Sequence, residues 1–188
     1  MREIDAEVAR ALVHYDPETG RMTWKPRDRK WFATNGAFLH FTNVFANKEA
    51  GGYTANGYRQ IRIMGTMFLA HRIAWLIAHG RMPTGVVDHI NGIIDDNRVE
   101  NLREATPAQN QINQFFIRGR VKSKGVSLKK QSGRYSASLA LGGGRRKHLG
   151  YFDSEDDAYR AYCTATASAY GPFFNPGDPA CAGGNRHG

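Results

Sequence analysis

Cysteine and long apolar runs are both scarce in this chain. Its 188 residues include only Cys163 and Cys181, which do not stand at metal-ligand spacing, so a disulfide-stapled scaffold and a cysteine-based zinc site are excluded. We expect both to be reduced thiols. The longest apolar run, residues 73–78, is too short to cross a bilayer, and the first ten residues lack the apolar stretch of a signal peptide. We therefore expect a soluble cytoplasmic protein without a membrane partner.

Acidic residues are absent from Ile117 to Gly150, a stretch that holds ten Lys and Arg. The whole chain carries a formal net charge of +9 and has a pI near 9.8. Excess positive charge favours a polyanionic partner through counterion release and long-range attraction. A solvated basic loop would give the same pattern, so charge alone leaves both interpretations open.

The first half of the chain predicts a mixed α+β fold. A hairpin is predicted around Gly65-Thr66, because residues on either side alternate as in strands. A helix follows from Ala70 to His79 and is ended by Gly80. Residues 25–50 mix basic and aromatic side chains without clear periodicity, and we leave that segment unassigned.

Residues 86–113 carry the most informative pattern. A strand ends at Asp88-His89, a polar loop follows, and a second strand is predicted from Arg98 to Arg103. Thr106 is a favourable N-cap for the next helix, which places Asn110 in its early turns. We therefore expect Asp88, His89 and Asn110 to converge between strand and helix.

These three side chains match the needs of phosphodiester hydrolysis, which requires an activated water and relief of phosphate charge. The Asp88 carboxylate and the Asn110 amide oxygen suit a hard divalent cation, with Mg²⁺ or Mn²⁺ as the candidates. Neutral His89 is able to accept a proton near pH 7. Taken singly, each residue fits ordinary loop chemistry; the ordered combination favours a nuclease.

The segment LAHRIAW together with residues 86–113 resembles the His-Asn-His (HNH) homing endonucleases of phages and group I introns. The resemblance implies a ββα-metal (His-Me finger) fold with Asp88 and Asn110 as metal ligands and His89 as the general base. It further implies that Asn101 of ENLR braces the loop, and Asn97 is a second candidate brace. Because YDPETGRMTW and the NGY hairpin also match, the resemblance covers roughly residues 12–115, and we expect a nuclease domain over 1–115.

Two further expectations come from this resemblance. The products would carry 3′-hydroxyl and 5′-phosphate ends, and the role would be intron or gene homing in a phage, in the host cytoplasm. His71 is similar to a histidine that recurs ahead of the motif in the family. On a helix beside Ile73 and Trp75, a hydrogen-bonded core position or a phosphate contact fits His71 better than catalysis.

A second motif set follows a basic linker predicted at 116–123. Gly125-Val126, GRYSASL, HLGYFDSEDDAYRAY and AYGPF resemble the apetala/ethylene-response-factor DNA-binding domain of plants, which also occurs fused to phage homing nucleases. The resemblance covers 124–174 and implies a three-stranded sheet that lies in the major groove and is backed by a helix. A disordered tail is predicted at 175–188.

Strand alternation in this module predicts two faces. One is apolar and would pack on the helix, formed by Tyr135, Ala137, Leu139 and Leu141. The positions expected to contact DNA are Lys124, Lys129, Lys130, Arg134, Ser136, Ser138, Arg145, Arg146 and His148. Since Ser and Ala stand where larger base-reading side chains occur in the family, the sheet is expected to grip mainly the DNA backbone. A small basic domain that binds another protein is the alternative.

Together these patterns predict an endonuclease that nicks or cuts double-stranded DNA at a preferred site, with no small-molecule substrate, as a monomer or weak dimer. One alternative is a non-cleaving, sequence-specific DNA-binding regulator with a vestigial nuclease motif. Another is RNA binding, in which aromatic side chains between Trp31 and Phe45 stack on bases.

Overall fold

A computed structural model describes residues 4–114, 121 and 123–176. The chain divides into two compact units, one ending at Glu104 and the other beginning at Ala105. The division falls before the boundary predicted after residue 115. We describe each unit separately.

The first unit combines three α-helices with seven strands. The helices are α1 (Ala6–Leu12), α2 (Asn35–Val44) and α3 (Ala70–His79). The strands are β1 (Val13–Tyr15), β2 (Met22–Trp24), β3 (Gly52–Tyr53), β4 (Arg59–Ile63), β5 (Thr66–Leu69), β6 (Val86–His89) and β7 (Leu102–Ala105). They form a β1-β2 hairpin, an antiparallel β3-β4-β5 sheet and a β6-β7 pair.

Helix α3 lies in the core of this unit and has the bounds predicted from the sequence. It ends at Gly80, whose φ of +73° is the left-handed conformation that favours glycine. Strand β4 presents Ile61 and Ile63 to the same core, where both are fully buried. The predicted hairpin is also present, but its turn is Met64-Gly65 and not Gly65-Thr66, since Thr66 already pairs with Ile63.

Residues 25–50, unassigned from the sequence, contain a 3₁₀ turn at Arg29–Trp31 and helix α2. The Thr34 hydroxyl caps α2 by accepting from the Ala37 N–H at 3.1 Å. Within α2 only Phe41 is buried, packed edge-on against Trp24 at 6.1 Å between ring centroids. One buried position in a ten-residue helix gives no amphipathic period, which is why the sequence pattern failed to predict α2.

The predicted strand from Arg98 to Arg103 needs correction. Residues Val99–Asn101 form a 3₁₀ turn, and β7 starts only at Leu102. The 3₁₀ turn places the Asn101 side chain within hydrogen-bond distance of the preceding loop.

The second unit contains helices α4 (Pro107–Asn113) and α5 (Glu155–Tyr170), strands β8 (Val126–Lys129), β9 (Arg134–Gly142) and β10 (Arg145–Phe152), and a 3₁₀ turn at Gly171–Phe173. The three strands form an antiparallel sheet in the order β10-β9-β8. Helix α5 packs on it, burying Ala137 and Leu139 against Ala158 and Tyr162. Helix α4 contributes Ile112 to the same core.

Two predicted segments lie largely outside the described residues. Of the linker at 116–123 only residues 121 and 123 are described, and of the tail at 175–188 only 175 and 176. Cys181 also lies outside them, while Cys163 is buried in the second core. No helix in the described part of the chain is long and apolar enough to cross a membrane.

Candidate active site and nucleic-acid interface

Asp88 and His89 stand at the end of strand β6, and both are nearly inaccessible to solvent, with exposed fractions of 3% and 5%. Burial of a carboxylate is costly unless it is paired with a cation or a hydrogen-bond donor. Arg103 on β7 supplies the partner. Its Nε donates to Oδ2 of Asp88 at 2.8 Å, and its Nη2 lies 2.8 Å from the same oxygen.

The polar loop after His89 is fixed by the side chain of Asn101, which is 5% exposed. The Asn101 Oδ1 accepts from the Asn91 N–H at 3.0 Å, and its Nδ2 donates to the Asp96 carbonyl at 2.8 Å. The Asn101 carbonyl also accepts from the Ile90 N–H at 2.8 Å. One side chain therefore bonds both halves of the loop, a geometry that suits the bracing role predicted for Asn101.

His89 is bonded from the same loop by Asn97. Its Nε2 lies 3.2 Å from Oδ1 of Asn97, a buried contact. The Asn97 Nδ2 donates to the Asp95 carbonyl at 3.4 Å, which orients Oδ1 towards the imidazole. Because an amide oxygen only accepts, this contact favours the neutral tautomer of His89 that carries its proton on Nε2.

Two further rings surround the His89 imidazole. His71 from α3 packs perpendicular to it at 5.1 Å between ring centroids, and Tyr58 lies 5.7 Å from His71 and 6.4 Å from His89. Burial lowers the pKa of His71 to about 3, with smaller contributions from His89 and Arg72. Burial also lowers the pKa of His89, opposed by the Asn97 bond and by nearby carboxylates. Both rings are therefore neutral near pH 7.

Asn110 lies on helix α4, whose start is held by a reciprocal cap. The Thr106 hydroxyl accepts from the Gln109 N–H at 3.2 Å, and the Gln109 side chain accepts from the Thr106 N–H at 2.8 Å. The structure assigns α4 to the second unit and Asp88 and His89 to the first. Convergence of Asn110 with the other two residues stays a prediction.

The residue types at this site decide which metals suit it. Among the residues that the structure describes, no group of three or more His, Cys, Asp or Glu side chains could hold a metal ion. Asp88 and Asn110 offer oxygen donors, which suit a hard cation that keeps several water ligands, as Mg²⁺ does.

The sheet of the second unit lines a groove of about 510 Å³. Small residues line its floor, among them Ser127, Ser136 and Ser138. Arg146 and His148 from β10 and Lys129 from β8 also line the groove. Ser136 is 6% exposed and lies 3.5 Å from the His148 imidazole, so it is less open than the strand alternation implied.

Two of the expected DNA contacts have protein partners instead. The Lys124 ammonium is bonded to the carbonyls of Ile112 and Gln114 at the end of α4, and burial lowers the pKa of Lys124 to about 8. Arg134 donates to Asp153 and to the Tyr151 carbonyl, each at 3.0 Å. Of the other basic residues expected to contact DNA, Lys129, Lys130, Arg145 and Arg146 are exposed, and the neighbouring Lys147 is exposed as well.

The apolar face predicted for β9 is correct for three of its four members. Ala137 and Leu139 are buried and Tyr135 is half-buried in the second core, whereas Leu141 is 41% exposed. Leu141 precedes Gly142, where the pairing of β9 and β10 shifts register. At this end of β9, Leu141 is not part of the core that packs against α5.

Sequence reasoning missed three residues that shape the site. The sequence pattern places Arg103 only in a strand and Tyr58 only in a hairpin. Tyr15, whose hydroxyl donates to the Asn97 carbonyl at 2.8 Å, lies 82 positions away from it in the chain. The available signal for Arg103 was its position, fifteen residues after Asp88 in the strand that pairs with β6. A buried carboxylate needs a cation, and a basic residue there can supply it.

The comparison with protein families matches one segment of the chain. A family model described as HNH endonuclease covers residues 68–112, which include His71, Asp88, His89 and Asn110. No curated protein and no solved structure matches the chain significantly. The match supports an HNH nuclease, a hydrolase that acts on DNA.

Proposed function

We propose that the protein is a divalent-metal-dependent endonuclease that hydrolyses phosphodiester bonds of double-stranded DNA. The observation that carries the proposal is the environment of His89. A buried imidazole stands directly after a carboxylate, and its Nε2 faces the Asn97 amide oxygen at 3.2 Å, which favours a proton on Nε2. This leaves the basic lone pair on Nδ1, as required of a group that removes a proton from water.

The residues have separate roles in the proposed reaction. His89 takes the proton from the attacking water at Nδ1. Asp88 and Asn110 would hold the metal through oxygen atoms, and Arg103 orients the Asp88 carboxylate. When bound, a metal such as Mg²⁺ or Mn²⁺ relieves the negative charge that develops on the phosphate. Asn101 holds the loop between them.

The second unit would bind the DNA on which the nuclease acts. Its groove has a floor of small side chains and basic residues beside them, which suits contact with the phosphate backbone. The resemblance to the plant DNA-binding domain supports the same face as the interface. We extend the proposal to 3′-hydroxyl and 5′-phosphate ends, a preferred site, a monomer or weak dimer, and homing in a phage, all on the resemblance of residues 12–115 and 124–174.

Supercoiled plasmid incubated with the purified full-length chain tests the proposal. With Mg²⁺ we expect conversion to nicked or linear DNA, and with EDTA no conversion. Binding should persist in EDTA, and duplex DNA should compete more effectively than RNA. DNA binding without cleavage in Mg²⁺ and in Mn²⁺ would establish the non-cleaving regulator instead, and stronger competition by RNA would establish an RNA-binding protein.

A further inference from the structure

The N-terminal hairpin β1-β2 contacts the loop that carries Asn97 at three places. The Tyr15 hydroxyl donates to the Asn97 carbonyl at 2.8 Å, in a buried position. The Pro17 carbonyl accepts from the Val99 N–H at 3.1 Å. Gly20 makes the third contact, backbone against backbone.

The contact at Gly20 leaves no room for a side chain. Gly20 has φ +72°, and a Cβ placed there would lie 2.6 Å from the carbonyl carbon of Asn97 and 2.6 Å from the Arg98 nitrogen. Backbone atoms cannot move aside as the end of a flexible side chain can. The hairpin turn and the Asn97-Arg98 peptide therefore fix each other's position.

Asn97 links the hairpin to His89. Asn97 is 2% exposed and contacts the hairpin through its backbone and His89 through its amide oxygen, at 3.2 Å from Nε2. Asn97 therefore connects the hairpin to the His89 imidazole. The family match begins at residue 68 and does not include the hairpin.

We propose that Asn97 is a positioning residue that holds His89 in the Nε2-protonated tautomer, and that the N-terminal hairpin holds Asn97 through Tyr15, Pro17 and Gly20. Asn97 touches neither water nor phosphate in this role. The catalytic consequence, a lone pair presented on Nδ1, rests on the proposed function. The tautomer of His89 does not depend on the proposed function, because it can be measured without any cleavage reaction.

Long-range ¹H–¹⁵N NMR correlations of the full-length chain test the tautomer at a pH where the imidazole is neutral. We expect the protonated nitrogen of His89 to be Nε2 in the wild type and in Asn97→Asp, whose carboxylate oxygen still accepts. Asn97→Leu removes the acceptor and should give a mixture of tautomers. Asn43→Ala, an exposed asparagine on α2, is the control and should leave the spectrum unchanged. A wild-type ring protonated on Nδ1, or an unchanged ring in Asn97→Leu, would overturn the proposal.

A pair of glycine substitutions tests the role of the hairpin if Asn97→Leu fails to fold. Gly20→Ala and Gly80→Ala impose similar backbone strain, since the φ values are +72° and +73°, but a Cβ at Gly80 meets nothing within 4 Å. Only Gly20→Ala should change the His89 tautomer and lower kcat while KM stays near the wild-type value. Equal tautomers in the two variants would overturn the hairpin's part.

These outcomes separate the inference from the proposed function. If the wild type cleaves no DNA but shows the Nε2-protonated ring, which Asn97→Leu disturbs, the positioning contact stands and the nuclease proposal fails. If the wild type cleaves DNA and Asn97→Leu leaves both ring and kcat unchanged, the nuclease stands and Asn97 has no positioning role.

Discussion

Arg103 and Asp88 form a buried ion pair across strands β7 and β6. The Arg103 Nε donates to Oδ2 of Asp88 at 2.8 Å, and the two side chains are 14% and 3% exposed. The pair joins the strand that carries His89 to the strand that follows the loop. The carboxylate proposed as a metal ligand is thereby held in place from the opposite strand.

Removal of Arg103 should destabilise the first unit strongly. In Arg103→Met a buried carboxylate loses its cation, which typically costs about 3 kcal/mol of unfolding free energy. The chain's three tryptophans, Trp24, Trp31 and Trp75, all lie in the first unit, so tryptophan fluorescence during urea denaturation reports on it selectively. Lys30→Met is the control, because its pair with Asp28 is 76% and 75% exposed and should contribute little. Equal stability of the two variants would contradict a structural role for the buried pair.

Asn101→Ala should impair both the loop and the reaction. The substitution leaves the Asn91 N–H and the Asp96 carbonyl without their partner, at a cost of about 2 kcal/mol. Because the loop also carries Asn97, kcat should fall, whereas affinity for DNA should stay close to the wild-type value. Urea denaturation and plasmid nicking rates measure the two effects. Asn43→Ala serves as the exposed control, and an Asn101→Ala variant with wild-type kcat would exclude the bracing role.

Stability of the first unit should fall as the pH falls below about 6.5, the ordinary pKa of histidine. The pKa of His71 is lowered to about 3 by burial, so the folded state keeps this ring neutral where the unfolded chain protonates it. Between those values the unfolded state binds more protons, and acid therefore favours unfolding. From pH 7.5 to pH 5 the loss attributable to His71 is about 2 kcal/mol.

The variant His71→Gln isolates this contribution. Its unfolding free energy should depend less steeply on pH than that of the wild type, whatever its stability at pH 7.5. His14→Gln, which replaces an exposed histidine on β1 and keeps the buried ring, is the matched control. Parallel pH profiles for wild type and His71→Gln would show that the buried ring is not the source.

Arg146 and Arg134 should differ in their contributions to DNA binding. Arg146 lines the open groove of the sheet, whereas Arg134 is bonded to Asp153 and the Tyr151 carbonyl. Arg146→Met should weaken binding and reduce the slope of log affinity against log salt concentration by about 1. Arg134→Met should change the slope less. Fluorescence anisotropy with labelled duplex DNA measures both slopes, and a larger effect at Arg134 would place the interface elsewhere.

Local signals predicted much of the fold because they depend on near neighbours in the chain. Gly80 ends α3 where expected, and the predicted cap at Thr106 starts α4. Helix α2 was not predicted, since its single buried residue, Phe41, leaves no period to detect.

Contacts between distant residues account for the rest of the site. Motif spacing identified Asp88 and His89, but no local pattern links Tyr15 to Asn97 or Gly20 to the Asn97-Arg98 peptide. The sequence predicts either a hydrogen-bonded core position or a phosphate contact for His71. The residue is buried, and its perpendicular packing on His89 depends on how α3 meets β6. Such relationships depend on tertiary structure and leave no sequence period.

The most direct test of the nuclease is the comparison of His89→Ala with His14→Ala, assayed for both cleavage and binding. Loss of a general base should slow Mg²⁺-dependent nicking of supercoiled DNA by at least about 100-fold. Affinity for the same DNA in EDTA should remain within a few-fold of the wild type, and His14→Ala should be unaffected in both assays. Nicking by His89→Ala at the wild-type rate would contradict the central claim.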